Sequence, residues 1–94
     1  MNKEIRELKE TYKKLYDKHI YAYKLQIIDE LEAMLEKELS DEDYEKLYYE
    51  IEYAYLKLDN VSIWSITRCA IDNLDKILND DEEFSLRNEA CYYE

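Results

Sequence analysis

The sequence predicts an all-α fold, and three observations carry that expectation. None of the 94 residues is Gly or Pro, the two residues that interrupt helices most strongly. Apolar side chains recur at a mean step of about 3.6 residues, the period of one helix face. Ser, Asn and Asp stand where such runs begin or end, as caps do. The predicted architecture is a compact antiparallel bundle of three or four helices, a single domain spanning residues 1–94.

The first segment carries Ile5, Leu8, Tyr12, Tyr16, Ile20, Tyr23, Ile27, Leu31 and Met34 on one stripe, compatible with an unbroken helix over residues 2–39. At about 1.5 Å per residue such a helix is on the order of 55 Å long, too long for a compact chain of this size, so compactness requires a bend near residues 18–21. Whether the segment is one helix or two stays open at this level. A second row begins at Tyr21 and includes Leu25, Ile28, Leu35 and Leu39, which suits a position central in the bundle or paired with another chain.

Ser40 with Asp43 three residues on forms an acidic version of the capping box and starts a second helix. Its main stripe is Tyr44, Leu47, Tyr48, Ile51, Tyr55 and Leu58. Tyr49, Tyr53 and Leu56 project on nearly the opposite side, and Glu45, Glu52 and Asp59 lie between the two rows on one flank. Asp59-Asn60 ends the helix, Asn being the residue that best tolerates a left-handed cap where Gly is absent. Asn60 or Ser62 then caps a third helix to about Asn79, built on Ile63, Ile66, Ala70, Leu74 and Ile77. Asp80 with Glu83 predicts a final N-cap and a short last helix through Phe84, Arg87 and Cys91.

Charge is distributed unevenly along this helical body. Residues 1–24 carry seven Lys/Arg and four Asp/Glu, net +3, while residues 25–94 carry six and twenty, net −14, within a total of −11. An A/T-rich genome would by itself raise the count of Tyr, eleven here, since Tyr, Asn, Lys and Ile have A/T-rich codons. It does not account for the acids, because Lys is scarce after residue 24. The charge argues against bare nucleic acid or an anionic membrane as ligand. No apolar run exceeds four residues and six of the first ten are charged, so the expectation is a cytoplasmic protein without a signal or membrane span.

The inventory of reactive groups predicts no catalysis, no cofactor and no metal. The single His, His19, has Tyr16 where a Glu-x-x-His di-iron motif places its Glu. A zinc site would have to gather His19, Cys69 and Cys91 from three segments, and a calcium or phosphate loop needs a Gly. His19 is expected as an exposed helix residue, and Cys69 and Cys91 as buried free thiols. Tyr12, Tyr16, Tyr44, Tyr48 and Tyr55 are expected at the core edge with their hydroxyls in water. Trp64 and Arg68, one turn apart, suit a core edge, a cation–π pair or an interface anchor.

The carboxylates are the remaining signal. Glu32, Glu36, Glu38, Asp41, Glu42, Asp43, Glu45 and Glu52 crowd the end of the first segment, the turn after it and the second helix. Helical acids three or four residues apart sit about 5–6 Å from each other, comparable with neighbouring phosphates. N-cap chemistry and solubility explain part of them. In composition the chain resembles the small acidic phage and plasmid proteins that mimic nucleic acid, among them inhibitors of restriction and CRISPR nucleases. That resemblance implies a non-enzymatic inhibitor occupying the basic channel of a nucleic-acid-binding host protein. The alternative is a helical adaptor or immunity-type protein whose Tyr49, Tyr53 and Leu56 stripe recognises one cognate protein. A homodimer contact and simple burial are the other two readings of the same stripe.

Overall fold

Lys9 Nζ lies 3.1 Å from Asp29 Oδ1 and 3.0 Å from Glu32 Oε1, although an unbroken helix would set residues 9 and 29 about 30 Å apart. The first apolar stripe therefore folds back on itself as two helices, α1 (Lys3–Tyr16) and α2 (Ala22–Met34). The computed structural model describes residues 3–16 and 22–93, with the side chains of 3–10 and 22–93. Residues 18–21, where the bend was expected, lie outside the described residues, as does His19; so do the side chains of Tyr12 and Tyr16. The remaining elements are α3 (Asp41–Lys57), α4 (Ile63–Asp72), α5 (Leu74–Leu78), α6 (Leu86–Ala90) and a closing 3-10 turn (Cys91–Tyr93). All described secondary structure is helical. The helix count among the described residues is six, against the three or four expected, because the first and third predicted helices are each divided.

Helix α2 stops at Met34 and not at Leu39, with Leu35 N donating to Leu31 O at 2.9 Å as its last bond. The next helix starts where expected. Ser40 adopts the extended N-cap conformation and its Oγ accepts from Asp43 N at 3.2 Å. Leu39 and Tyr44 occupy the two flanking positions of a hydrophobic staple and both are buried. A helix running on through Leu39 would forfeit both the cap and the staple. The same device opens α4: Ser62 Oγ accepts from Ser65 N at 3.1 Å, and Val61 and Ile66 are the buried flanking pair.

The third predicted helix breaks at Asn73. Its Nδ2 donates to Cys69 O at 2.9 Å, an amide side chain competing with the backbone ladder, and the residue sits at φ −120°, ψ 29° between α4 and α5. Asn60 is left-handed as expected, at φ 63°, but it does not cap α3, which ends at Lys57 with Leu58 extended at φ −99°, ψ 139°. Asp80, expected as an N-cap, is instead left-handed too, at φ 54°. Asp81 N reaches Lys76 O at 3.0 Å and Asp80 N reaches Ile77 O at 3.3 Å, so Asp80 fills the glycine position of a Schellman closure of α5. Lys46 from α3 reinforces that end, with Nζ 2.7 Å from Asp80 Oδ1 and 3.4 Å from Leu78 O, a cation at a helix C-terminus. Asp81 Oδ1 accepts from Glu83 N at 2.9 Å within the turn that follows, and the last helix has Ser85 as its N-cap, without a side-chain cap bond.

The central element is α4, which packs on α2, α3, α6 and the 3-10 turn. Ile27, Ile28 and Leu31 of α2 and Leu47, Tyr48 and Ile51 of α3 converge with Ile66 and Cys69 of α4 in one core that reaches Ile5, Ile77, Leu86 and Ala90. The radius of gyration is 12.9 Å, near the roughly 12 Å expected for a compact chain of this length. Among the described residues no helix is long and apolar enough to cross a membrane.

Candidate functional site

The acids of the turn and of α3 divide into two groups, those joined to a cation and those that are not. Glu32 shares Lys9 with Asp29. Glu52 lies in the α2–α3 seam, where Lys24 Nζ approaches its Oε2 at 2.6 Å and Tyr48 donates to the same oxygen at 3.0 Å. With side-chain exposures of 14% and 16% for Lys24 and Glu52, that group is an internal tie and stands apart from the exposed acids. By contrast, none of the ion pairs among the described residues involves Glu36, Asp41, Glu42, Asp43 or Glu45.

Why three acids can stand together at the start of α3 follows from the helix itself. Asp41, Glu42 and Asp43 occupy its first turn, where unsatisfied N–H groups favour negative charge. Asp41, Glu42 and Glu45 are exposed and Asp43 is half-buried. The fold then adds an acid that lies far off in sequence. Glu4 of α1 comes against Glu45 and Asp41, and its carboxyl is pushed above the usual carboxylate range by partial burial first and then by repulsion from those two. Nothing in the local sequence of α3 announces this neighbour; the helical reversal of the first segment brings it there.

Glu32, Glu36, Glu38 and Tyr44, together with Leu35 and Lys37, line a shallow open depression of about 310 Å³ beside the same turn. Burial and then the nearby Glu38 and Glu32 raise the Tyr44 phenol, so its hydroxyl stays protonated and available as a donor. Of the five tyrosines expected at the core edge, Tyr44 and Tyr48 are buried and Tyr55 is half-buried, stacked on Tyr23 at 5.7 Å.

The second row of α3 faces solvent, with Tyr49 and Tyr53 each 51% exposed and Leu56 60% exposed. Tyr49 stands edge-on to Tyr48, ring centroids 5.3 Å apart. Tyr53 carries two cations: Lys57 Nζ is 5.7 Å and the Arg87 guanidinium of α6 is 5.4 Å from its ring centroid. The stripe is therefore polarised, acidic at Glu42 and Glu45 and basic at Lys57 and Arg87. Lys57 was legible as the residue one turn after Tyr53; Arg87 was not, because only tertiary packing sets it there.

Among the described residues no group of three His, Cys, Asp or Glu side chains is placed to hold a metal. Cys69 is buried and its thiol is pushed up to about 11, by burial first and then by Glu89 and Asp72, which disfavours the nucleophilic thiolate. Cys91 was expected to be buried too, but it is exposed. It opens the 3-10 turn, with Sγ donating to Arg87 O at 3.4 Å, while Tyr93 fastens that turn to α4 through a 2.9 Å bond to Asp72 Oδ2. No protein-family model matches the chain, and no curated protein or solved structure gives a significant match to it.

Proposed function

We propose that this chain is a non-enzymatic acidic inhibitor that mimics nucleic acid, with the exposed carboxylates at the start of α3 occupying the basic channel of a nucleic-acid-binding host protein, a restriction or CRISPR-type nuclease or a regulator. A phage or plasmid origin and action in the host cytoplasm belong to the same reading. The single observation that carries it is the segregation of acids. Asp29, Glu32, Glu52 and Asp80 are joined to lysines, whereas Asp41, Glu42, Asp43 and Glu45 take part in no ion pair among the described residues, and Glu4 is held against them at a cost. Carboxylates kept free of internal cations are available to an external one, and association driven by them weakens as salt rises.

The exposed stripe favours a second reading, a cognate-protein adaptor anchored by Tyr49, Tyr53 and Leu56. One experiment separates the two. The tagged protein captures partners from a host lysate at about 50 and 500 mM NaCl, a range over which phosphate-like contacts lose orders of magnitude in affinity. Glu42→Lys with Glu45→Lys abolishes capture by a mimic, and Leu56→Ala leaves it within a factor of two to three. The adaptor gives the reverse ranking. Capture that is indifferent to salt, or the recovery of no basic nucleic-acid-binding protein, removes the mimic.

A further inference from the structure

We propose that the groove where α2 ends against the α4–α5 kink is the face on which two copies of this chain associate about a two-fold axis. The groove encloses about 550 Å³. Its floor is apolar and half-buried, formed by Met34 and Leu35 from the end of α2 and by Ile71 and Leu74 on either side of the Asn73 break. It continues onto the outer face of α4, where Trp64, Arg68 and Ile71 follow one another at helical spacing. Trp64 is the only Trp of the chain and is 50% exposed. Trp and Arg flanking an apolar depression is the composition of an interface hot spot.

The charge around this groove decides the occupant. The groove's lining carries three cations, Lys37, Arg68 and Lys76, and three acids, Glu36, Asp72 and Asp75, so the rim is balanced on a molecule whose net charge is −11. A two-fold interface sets a patch against itself. The acidic start of α3 would meet its own charge under that operation and repel. A balanced rim can place each cation of one copy against an acid of the other. A strongly basic partner gains more at the α3 acids than here, and nucleic acid is repelled by the molecule as a whole. Covering this groove needs about 800 Å² per copy for a stable interface, a modest share of the 6187 Å² of surface that the monomer exposes. Asp41, Glu42, Asp43 and Glu45 at the start of α3 do not line this groove, and of the acids grouped with them Glu36 alone does, so this inference stands or falls apart from the mimic reading of the α3 acids.

The test is the mass in solution from about 1 to 200 µM at low salt, by light scattering after gel filtration, with Trp64 emission followed over the same range. The expected result is a shift from 11.6 kDa to twice that mass, with a blue shift of Trp64. Two variants then test the face: Lys37→Glu with Arg68→Glu, and Glu36→Lys with Asp75→Lys. Each alone stays monomeric at 200 µM, and the two mixed restore a one-to-one dimer, an outcome that misfolded chains cannot give. A native chain that is monomeric throughout overturns the proposal and leaves the groove to a different protein. A dimer that survives both variants, or variants that fail to recombine, overturns it equally.

Discussion

Thr67 holds a hydroxyl in the driest part of the molecule: the residue is fully buried, and among the described residues its Oγ1 is the buried side-chain oxygen without a hydrogen-bond partner. Burying such a group without a partner costs about 1–3 kcal/mol, while an apolar group of the same shape escapes that cost. Thr67→Val therefore raises stability by about 1 kcal/mol, or roughly 4–8 °C in Tm for a domain of this size. Thermal unfolding followed by circular dichroism checks it; a lower Tm would mean that the hydroxyl has a partner in solution. At the same scale, two residues stand in for the missing glycines, Asn60 and Asp80. The left-handed Asn60 was readable from the tolerance of Asn for that conformation, though it lies in the turn beyond Leu58 and does not cap α3. Asp80 was misread because an acid between two helices fits the end of one as well as the start of the next. The choice was made by Lys46 and the backbone bonds at Lys76 and Ile77, none of which is a local property of residues 80–83.

At the scale of elements, the two serine caps differ in what surrounds them. α3 keeps Asp41, Glu42 and Asp43 at its first turn whatever happens to Ser40, whereas α4 has no acid in its first turn. Ser62 also donates to Ser65 Oγ at 3.0 Å, and Ser65 in turn reaches Tyr93 O at 3.5 Å, tying the start of the central helix to the C-terminal turn. Ser62→Ala should accordingly cost about 1–2 kcal/mol and Ser40→Ala about 0.5–1. Urea denaturation of both variants measures the order, and an equal or reversed order would show that the acids do not substitute for the cap. Both starts were legible, since a Ser before an apolar run states its own position. The break at Asn73 was not, because Asn is tolerated inside a helix until its side chain turns back to Cys69 O. The early end of α2 was hidden by the unbroken periodicity through Leu39, which serves the next helix as a staple. In the candidate site, the opposition of Tyr49, Tyr53 and Leu56 to the main stripe was legible, but the sequence left burial open and packing alone shows them exposed. The internal use of Glu52 did not, because Lys24 comes from the neighbouring helix.

For the whole molecule, charge sets a sign that the element scale does not contain. With 24 acids and 13 Lys/Arg, folding brings like charges together, and the ion pairs among the described residues are mostly at the surface, where each contributes little. Glu4 reports the sign locally. Its carboxyl holds a proton more tightly in the folded chain than in the unfolded one, so its charged form opposes folding in full above the folded pKa. The opposition is relieved as pH falls through that value toward the ordinary 4.5. Screening does at constant pH what protonation does locally, since the Debye length falls from about 30 Å at 0.01 M to about 3 Å at 1 M salt. Raising NaCl from about 10 to 500 mM at pH 7 should therefore raise Tm by several degrees, while the same change weakens capture of a basic partner. Melting curves in a salt series measure the first and the lysate capture the second. A Tm that falls with salt would mean that the Lys9, Lys24 and Lys46 ion pairs outweigh the repulsion among the acids. On the mimic reading the two effects of salt run against each other: the repulsion that makes the free protein least stable at low salt comes from the acids whose attraction for a basic partner is then strongest.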